Sequence, residues 1–123
     1  MLFSEHDEQV ALIRWADMSE LPELQLLFAI PNGGQRHPAV ARKLRDEGLR
    51  AGVPDLFLPV ARGNYHGLFI EMKVGRNKPT ANQTGWIRAL RWQGYRVEIC
   101  YGYEEARVMI ENYLTDGILM DGQ

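Results

Sequence analysis

The chain has 123 residues, enough for one ordinary domain, and its 46% hydrophobic and 24% charged content is that of a soluble globular protein. The single Cys100 excludes an intramolecular disulfide, no apolar run reaches the roughly 20 residues that span a bilayer, and MLFSEHDEQ lacks the pattern of a signal peptide, so a cytoplasmic location is expected. The net charge of -2 is unevenly spread: residues 1–30 set Arg14 against six acids and residues 97–123 set Arg107 against six, whereas residues 31–96 hold twelve Lys and Arg against Asp46, Glu47, Asp55 and Glu71. A basic middle between acidic ends is compatible with a surface for a phosphate backbone, although solvated charge on helix faces accounts for about half of these side chains.

Residues 5–18 (EHDEQVALIRWADM) have the spacing of an amphipathic helix, with Ser4 as N-cap and acids in the first turn. Residues 26–30 (LLFAI) read as a short buried strand. PNGGQRHP is a glycine-rich loop bracketed by prolines, and it leads into a helix over about 38–47 that stops at Gly48. VPDLFLPV is a second strand, ARGNYHG a turn and LFIEMKV a third strand. The loop GRNKP precedes a helix over 81–93 ended by Gly94, RVEICY alternates as a fourth strand, and residues 104–114 form a closing helix, beyond which TDGILMDGQ frays. The order α, β, α, β, β, α, β, α predicts one α/β domain over 1–123, core about 5–114, with a mixed β-sheet flanked by helices.

In the third strand alternation puts Leu68, Ile70 and Met72 on one face and Phe69, Glu71 and Lys73 on the other. If the second and third strands pair as a hairpin turning at Gly63, Asp55 falls opposite Glu71, with Cβ atoms about 4.5–5.5 Å apart. Two carboxylates so placed repel unless a cation neutralises them, and a hard divalent metal such as Mg²⁺ is suited to the task. Lys73 lies about 7 Å along the same face, near enough to serve a substrate without displacing the metal. A salt-bridged strand is the plain alternative, and for an isolated acid-x-Lys it is the commoner one.

GVPDLFLPV, then GLFIEMK, then Gln83 in the next helix, together with AIPNGG and GYRVEICYG, resemble the PD-(D/E)XK nuclease superfamily, and within it the VRR-NUC domain in its short stand-alone phage and prophage form. The resemblance covers about residues 5–114 and implies a restriction-endonuclease-like αβββαβ core and a Mg²⁺-dependent endodeoxyribonuclease, Mn²⁺ substituting. It implies that Asp55, Glu71 and the Met72 backbone carbonyl bind metal and that Lys73 orients or helps deprotonate the attacking water. A glutamate of the first helix usually joins the metal; helical phase does not separate Glu5 from Glu8, and Glu8 is taken. Gln83 matches a site glutamine, yet Thr80-x-x-Gln83 is also a capping box, and both roles are compatible. Asn32, Arg36, Arg42, Lys43, Arg45, Arg76 and Lys78 are candidates to contact nucleic acid. No zinc finger, recognition helix or aromatic platform is evident, and His6, His37 and His66 show no ligand spacing. Trp86, Ile87 and Leu90 fit a core stripe, with Trp92 at its edge. The resemblance further implies a homodimer acting in the host cytoplasm on branched DNA such as Holliday junctions. A DNA-binding module with a vestigial site and a nuclease acting on RNA are the competing readings.

Overall fold

In a computed structural model the described residues are 3–32 and 36–121, with side chains through Thr115. Gly33, Gly34 and Gln35 of the predicted loop lie outside them. Helix α1 (Glu5–Met18) starts on a capping box in which Ser4 accepts from Asp7 N–H and Asp7 accepts from Ser4 N–H. A tight 3₁₀ turn (Pro22–Leu26) leads to β1 (Phe28–Ala29), then come α2 (Pro38–Asp46), β2 (Leu56–Leu58), β3 (Leu68–Lys73), α3 (Ala81–Trp92), β4 (Arg96–Tyr101) and α4 (Tyr103–Asp121).

The strands lie side by side in chain order, β1 and β2 antiparallel, β2 and β3 antiparallel, β3 and β4 parallel. The mixed sheet is the expected one, and so is its register: Leu56 faces Ile70, Phe57 faces Phe69 and Leu58 faces Leu68. Arg62 and Tyr65 bridge across a two-residue turn in which Gly63 takes φ 54°, a left-handed value that glycine adopts without strain. The parallel connection from β3 to β4 requires a crossover, which α3 supplies.

Alternation splits the sheet into two faces. Leu56, Leu58, Leu68, Ile70, Met72 and Cys100 point into a core closed by Leu12 and Ala16 of α1, Leu24 of the 3₁₀ turn, and Ala106, Ile110, Tyr113 and Leu114 of α4. Tyr113 keeps its hydroxyl satisfied there by donating to Val60 O at 2.6 Å. The opposite face carries Phe28, Phe57, Phe69 and Val97 in one row across the strands, and Glu71 and Ile99 in the next. Helix α3 covers the β4 side of this face.

Two expectations change. The segment LLFAI is not a buried strand: only Phe28 and Ala29 pair, both exposed, because β1 is an edge strand and the preceding turn delivers Leu24 to the core instead. The closing helix continues past residue 114 to Asp121 rather than fraying at Thr115, as no proline interrupts TDGILMD. On α3, Ile87 is buried and Trp86 and Leu90 are half-buried, while Trp92 is 87% exposed.

Candidate active site

Proline ends the β2–β3 ladder. The register carried two residues past Leu56–Ile70 sets Pro54 against Met72, and Pro54 has no N–H to donate. That leaves the Met72 carbonyl without a ladder donor, while the Met72 N–H donates to Asp55 Oδ2 at 2.7 Å and fixes the Asp55 carboxylate at the end of β2 beside β3. One further backbone bond, from Ile30 N–H to Asp55 O at 2.7 Å, ties this point to the end of β1.

Glu71 is 2% exposed. Its Oε2 accepts from Gln83 Nε2 at 3.0 Å and lies 3.8 Å from Lys73 Nζ, while its Oε1 is buried with no hydrogen-bond partner. Burial, and then the charge of Asp55, push the Glu71 carboxyl up to about 8, against the pull of Lys73. Burial also raises Asp55, opposed by its bond from Met72 N–H. Two carboxylates, one with a buried unpaired oxygen, form a donor set that suits a hard divalent cation. Among the described residues no group of three His, Cys, Asp and Glu is placed to hold a metal ion.

Gln83 does both things its sequence context allowed. Its Oε1 accepts from Thr80 N–H at 2.9 Å, its own N–H donates to Thr80 Oγ1 at 3.2 Å, and its Nε2 reaches Glu71. The capping box therefore holds the amide that holds the carboxylate.

The two first-helix acids separate. Glu8 Oε1 accepts from Tyr103 N–H at 2.9 Å, the first amide of α4, so Glu8 is engaged in anchoring one helix to another and lines a cleft of about 730 Å³ between α1 and the start of α4. Glu5, not Glu8, is the acid of α1 whose charge raises both Asp55 and Glu71. Its Oε2 accepts from Asn77 Nδ2 at 3.4 Å, and Tyr101 steadies that loop by donating its hydroxyl to Asn77 O at 2.8 Å. Helical phase could not tell the two apart because both can face inward; the partner that distinguishes them, the start of α4, is 95 residues away.

Asn32, Arg36, Arg42, Lys43, Arg45, Arg76 and Lys78 are all exposed. Arg76 and Lys78 flank Asn77 in the loop beside the carboxylates, and Arg42, Lys43 and Arg45 lie on α2, which buries none of its residues. The sheet also gathers an aromatic cluster that the sequence reading did not single out. Phe28 meets Phe57 edge-on at 5.8 Å between ring centroids, Phe57 stacks on Phe69 at 4.2 Å, and Tyr95 meets both Phe57 and Phe69 edge-on. These rings come from separate segments, and period-two alternation in each strand was the signal that could have put them on one face.

A mixed four-stranded sheet between helices, with an acid at a Pro-Asp strand start facing an acid-x-Lys strand across a hairpin, defines an α/β domain of nuclease type. The VRR-NUC domain model matches residues 3–104, and the chain belongs to that family, a family of nucleases. A solved structure described as a VRR_NUC domain protein is 28% identical, superposes with a TM-score of 0.81, and is matched over 94% of this chain and 91% of its own. No curated protein matches the chain. Among the described residues no helix is long and apolar enough to cross a membrane.

Proposed function

We propose that the protein is a metal-dependent endodeoxyribonuclease that selects branched DNA, four-way junctions included, and works as a homodimer. The observation that carries this reading is the unpaired, buried Oε1 of Glu71 beside Asp55. Without a cation the two buried carboxyls can coexist only by sharing a proton, which is why Glu71 is raised to about 8, and a divalent cation would replace that proton and occupy the free oxygen.

Asp55, Glu71 and the Met72 carbonyl, which Pro54 leaves without a ladder donor, would hold Mg²⁺ or Mn²⁺, with Glu5 the available acid from α1. When bound, the cation supplies charge neutralisation at the phosphate and lowers the pKa of water. The chain's own groups do the rest. Gln83 holds Oε2 of Glu71 and so fixes the orientation of the carboxyl. Lys73, 3.8 Å from Glu71 Oε2 on the same face, would present an ammonium where negative charge grows on the phosphate oxygens and would orient the attacking water. Arg76 and Lys78, with Asn32, Arg36 and the α2 cations Arg42, Lys43 and Arg45, would contact flanking phosphates, contributing affinity without sequence information. One subunit offers a single site and a small footprint, so symmetric cleavage of a junction calls for two copies.

The test is to incubate labelled four-way junction, flap, single-stranded and duplex DNA with wild type and Glu71→Ala in Mg²⁺, Mn²⁺ or EDTA. Metal-dependent cutting of the branched substrates, lost in Glu71→Ala while binding persists, is expected. Cleavage that survives Glu71→Ala would refute the metal site, and a monomeric mass with unselective cutting of linear duplex would refute the dimer and the branch preference.

A further inference from the structure

The carboxylate row of the sheet has a neighbour that the chemistry above does not use. Phe57 is two residues from Asp55 on β2 and Phe69 two residues from Glu71 on β3, so both rings lie on the carboxylate face, about 7 Å along the strands from the acids. Phe28 extends the row onto β1. Just past Phe28, Ile30 N–H donates to Asp55 O at 2.7 Å, which ties the strand carrying the outermost ring to the first of the acids.

The row is open at its outer end: Phe57 and Phe69 are half-buried, and Phe28, on the edge strand, is 49% exposed. The rings are mutually braced, by the Phe57–Phe69 stack and by Tyr95 against both, so the platform is set before any ligand arrives. Gly67 is part of this bracing, since a Cβ there would stand 2.9 Å from the Phe57 ring.

Resting on the nuclease reading, we propose that the exposed Phe28 ring, backed by the Phe57–Phe69 stack, is a base-stacking subsite that takes an unpaired nucleobase near the scissile phosphate. Aromatic faces accept any base, so the subsite selects for an unstacked nucleotide and not for sequence. A base inside a duplex must first be extruded to reach it, while a base at a branch point or single-stranded end is already available. Selection of branched DNA then has a local origin in each subunit, independent of how two subunits are arranged.

The experiment compares a flap or junction carrying a normal nucleotide beside the cleaved phosphate with the same substrate carrying an abasic one, using wild type, Phe28→Ala, Phe28→Leu and Phe28→Trp. Removing the base should lower the cleavage efficiency of wild type about tenfold, Phe28→Ala and Phe28→Leu should show a similar loss on the normal substrate, and the combined loss should be no greater than either alone. Phe28→Trp should restore activity. Phe28→Leu keeps apolar bulk on the strand, so a loss it shares with Phe28→Ala reflects stacking and not folding. An abasic substrate cut as fast as the normal one, or losses that multiply, would overturn the proposal. A second arm needs no cleavage: with 2-aminopurine at that position and EDTA present, wild type should quench the probe on binding and Phe28→Ala should not. Equal emission in both would also overturn it. Quenching without any Glu71-dependent cleavage would uphold the subsite and dismiss the nuclease reading, so the two failures are distinguishable.

Discussion

The two faces of β3 use alternate residues of one six-residue strand and are equally short of solvent in the middle, yet they are built to opposite ends. Leu68, Ile70 and Met72 are fully buried in an apolar core, and every contact they make stabilises the fold. Glu71, 2% exposed on the other face, is as buried as its neighbours but carries an oxygen with no partner. Burial of an unsatisfied carboxyl destabilises the fold, so depth alone does not mark a core residue. What distinguishes the faces is that one is wholly apolar, whereas the other buries two carboxyls and an ammonium among few partners.

The largest effect expected from breaking this contrast is kinetic. Glu71→Gln should lower Mg²⁺-dependent cleavage by at least about 10³-fold while leaving the metal-free protein about as stable in urea at pH 6, since it keeps the side chain's volume and an acceptor for Gln83 and removes only the ionisable oxygen. Ile70→Ala, one residue away on the other face, should do the reverse. It should cost about 2–5 kcal/mol in urea unfolding, with the per-molecule activity of the folded fraction largely kept. If both variants lose stability equally, the two faces are not functionally distinct.

The contrast was legible in the sequence where a short-range rule governs it. One turn and a period of two set the register of GVPDLFLPV against GLFIEMK, so the approach of Asp55 to Glu71 follows from sequence alone, as does the Thr80–Gln83 cap. Where partners are distant the sequence is silent. Phe28, Phe57 and Phe69 lie in three separate segments, and only the sheet makes them one surface. Glu5 and Glu8 share a helix side, and the start of α4 takes one of them. The apolar run LLFAI was misleading for a related reason: Leu24, just upstream, fills the core position that the run seemed made for.

Two buried acids sharpen the comparison by pH. Glu71 is raised from 4.5 to about 8, so its neutral form is the one the fold favours. The stability this protonation contributes is fully present below about pH 4.5 and is lost as pH rises through 8. Metal-free protein should therefore unfold at lower urea at pH 9 than at pH 6, and Glu71→Gln should flatten that slope; an unchanged slope would reject the raised value. On the closed face burial, aided by Glu105 and Glu98, pushes the Cys100 thiol up to about 12. At pH 8 a thiol reagent should then modify Cys100 only as fast as the protein opens, and labelling of native protein at the rate of a free thiol would show the core to be looser than its packing.

The smallest effect separates two roles of one side chain. Thr80→Ala removes the acceptor for Gln83 N–H, and Gln83→Ala removes both the acceptor for Thr80 N–H and the donor to Glu71. Loss of the cap alone should cost about 1 kcal/mol in each variant. Gln83→Ala should in addition weaken cleavage about tenfold, because Glu71 Oε2 loses its bond and the carboxyl is no longer held in one orientation. Gln83→Glu keeps a capping acceptor but replaces the donor with a third carboxylate beside Glu71, so it should preserve most of the cap while losing activity. Stability and activity falling in parallel across all three variants would mean that Gln83 acts only by holding α3, and the bond to Glu71 would then be a by-product of the cap.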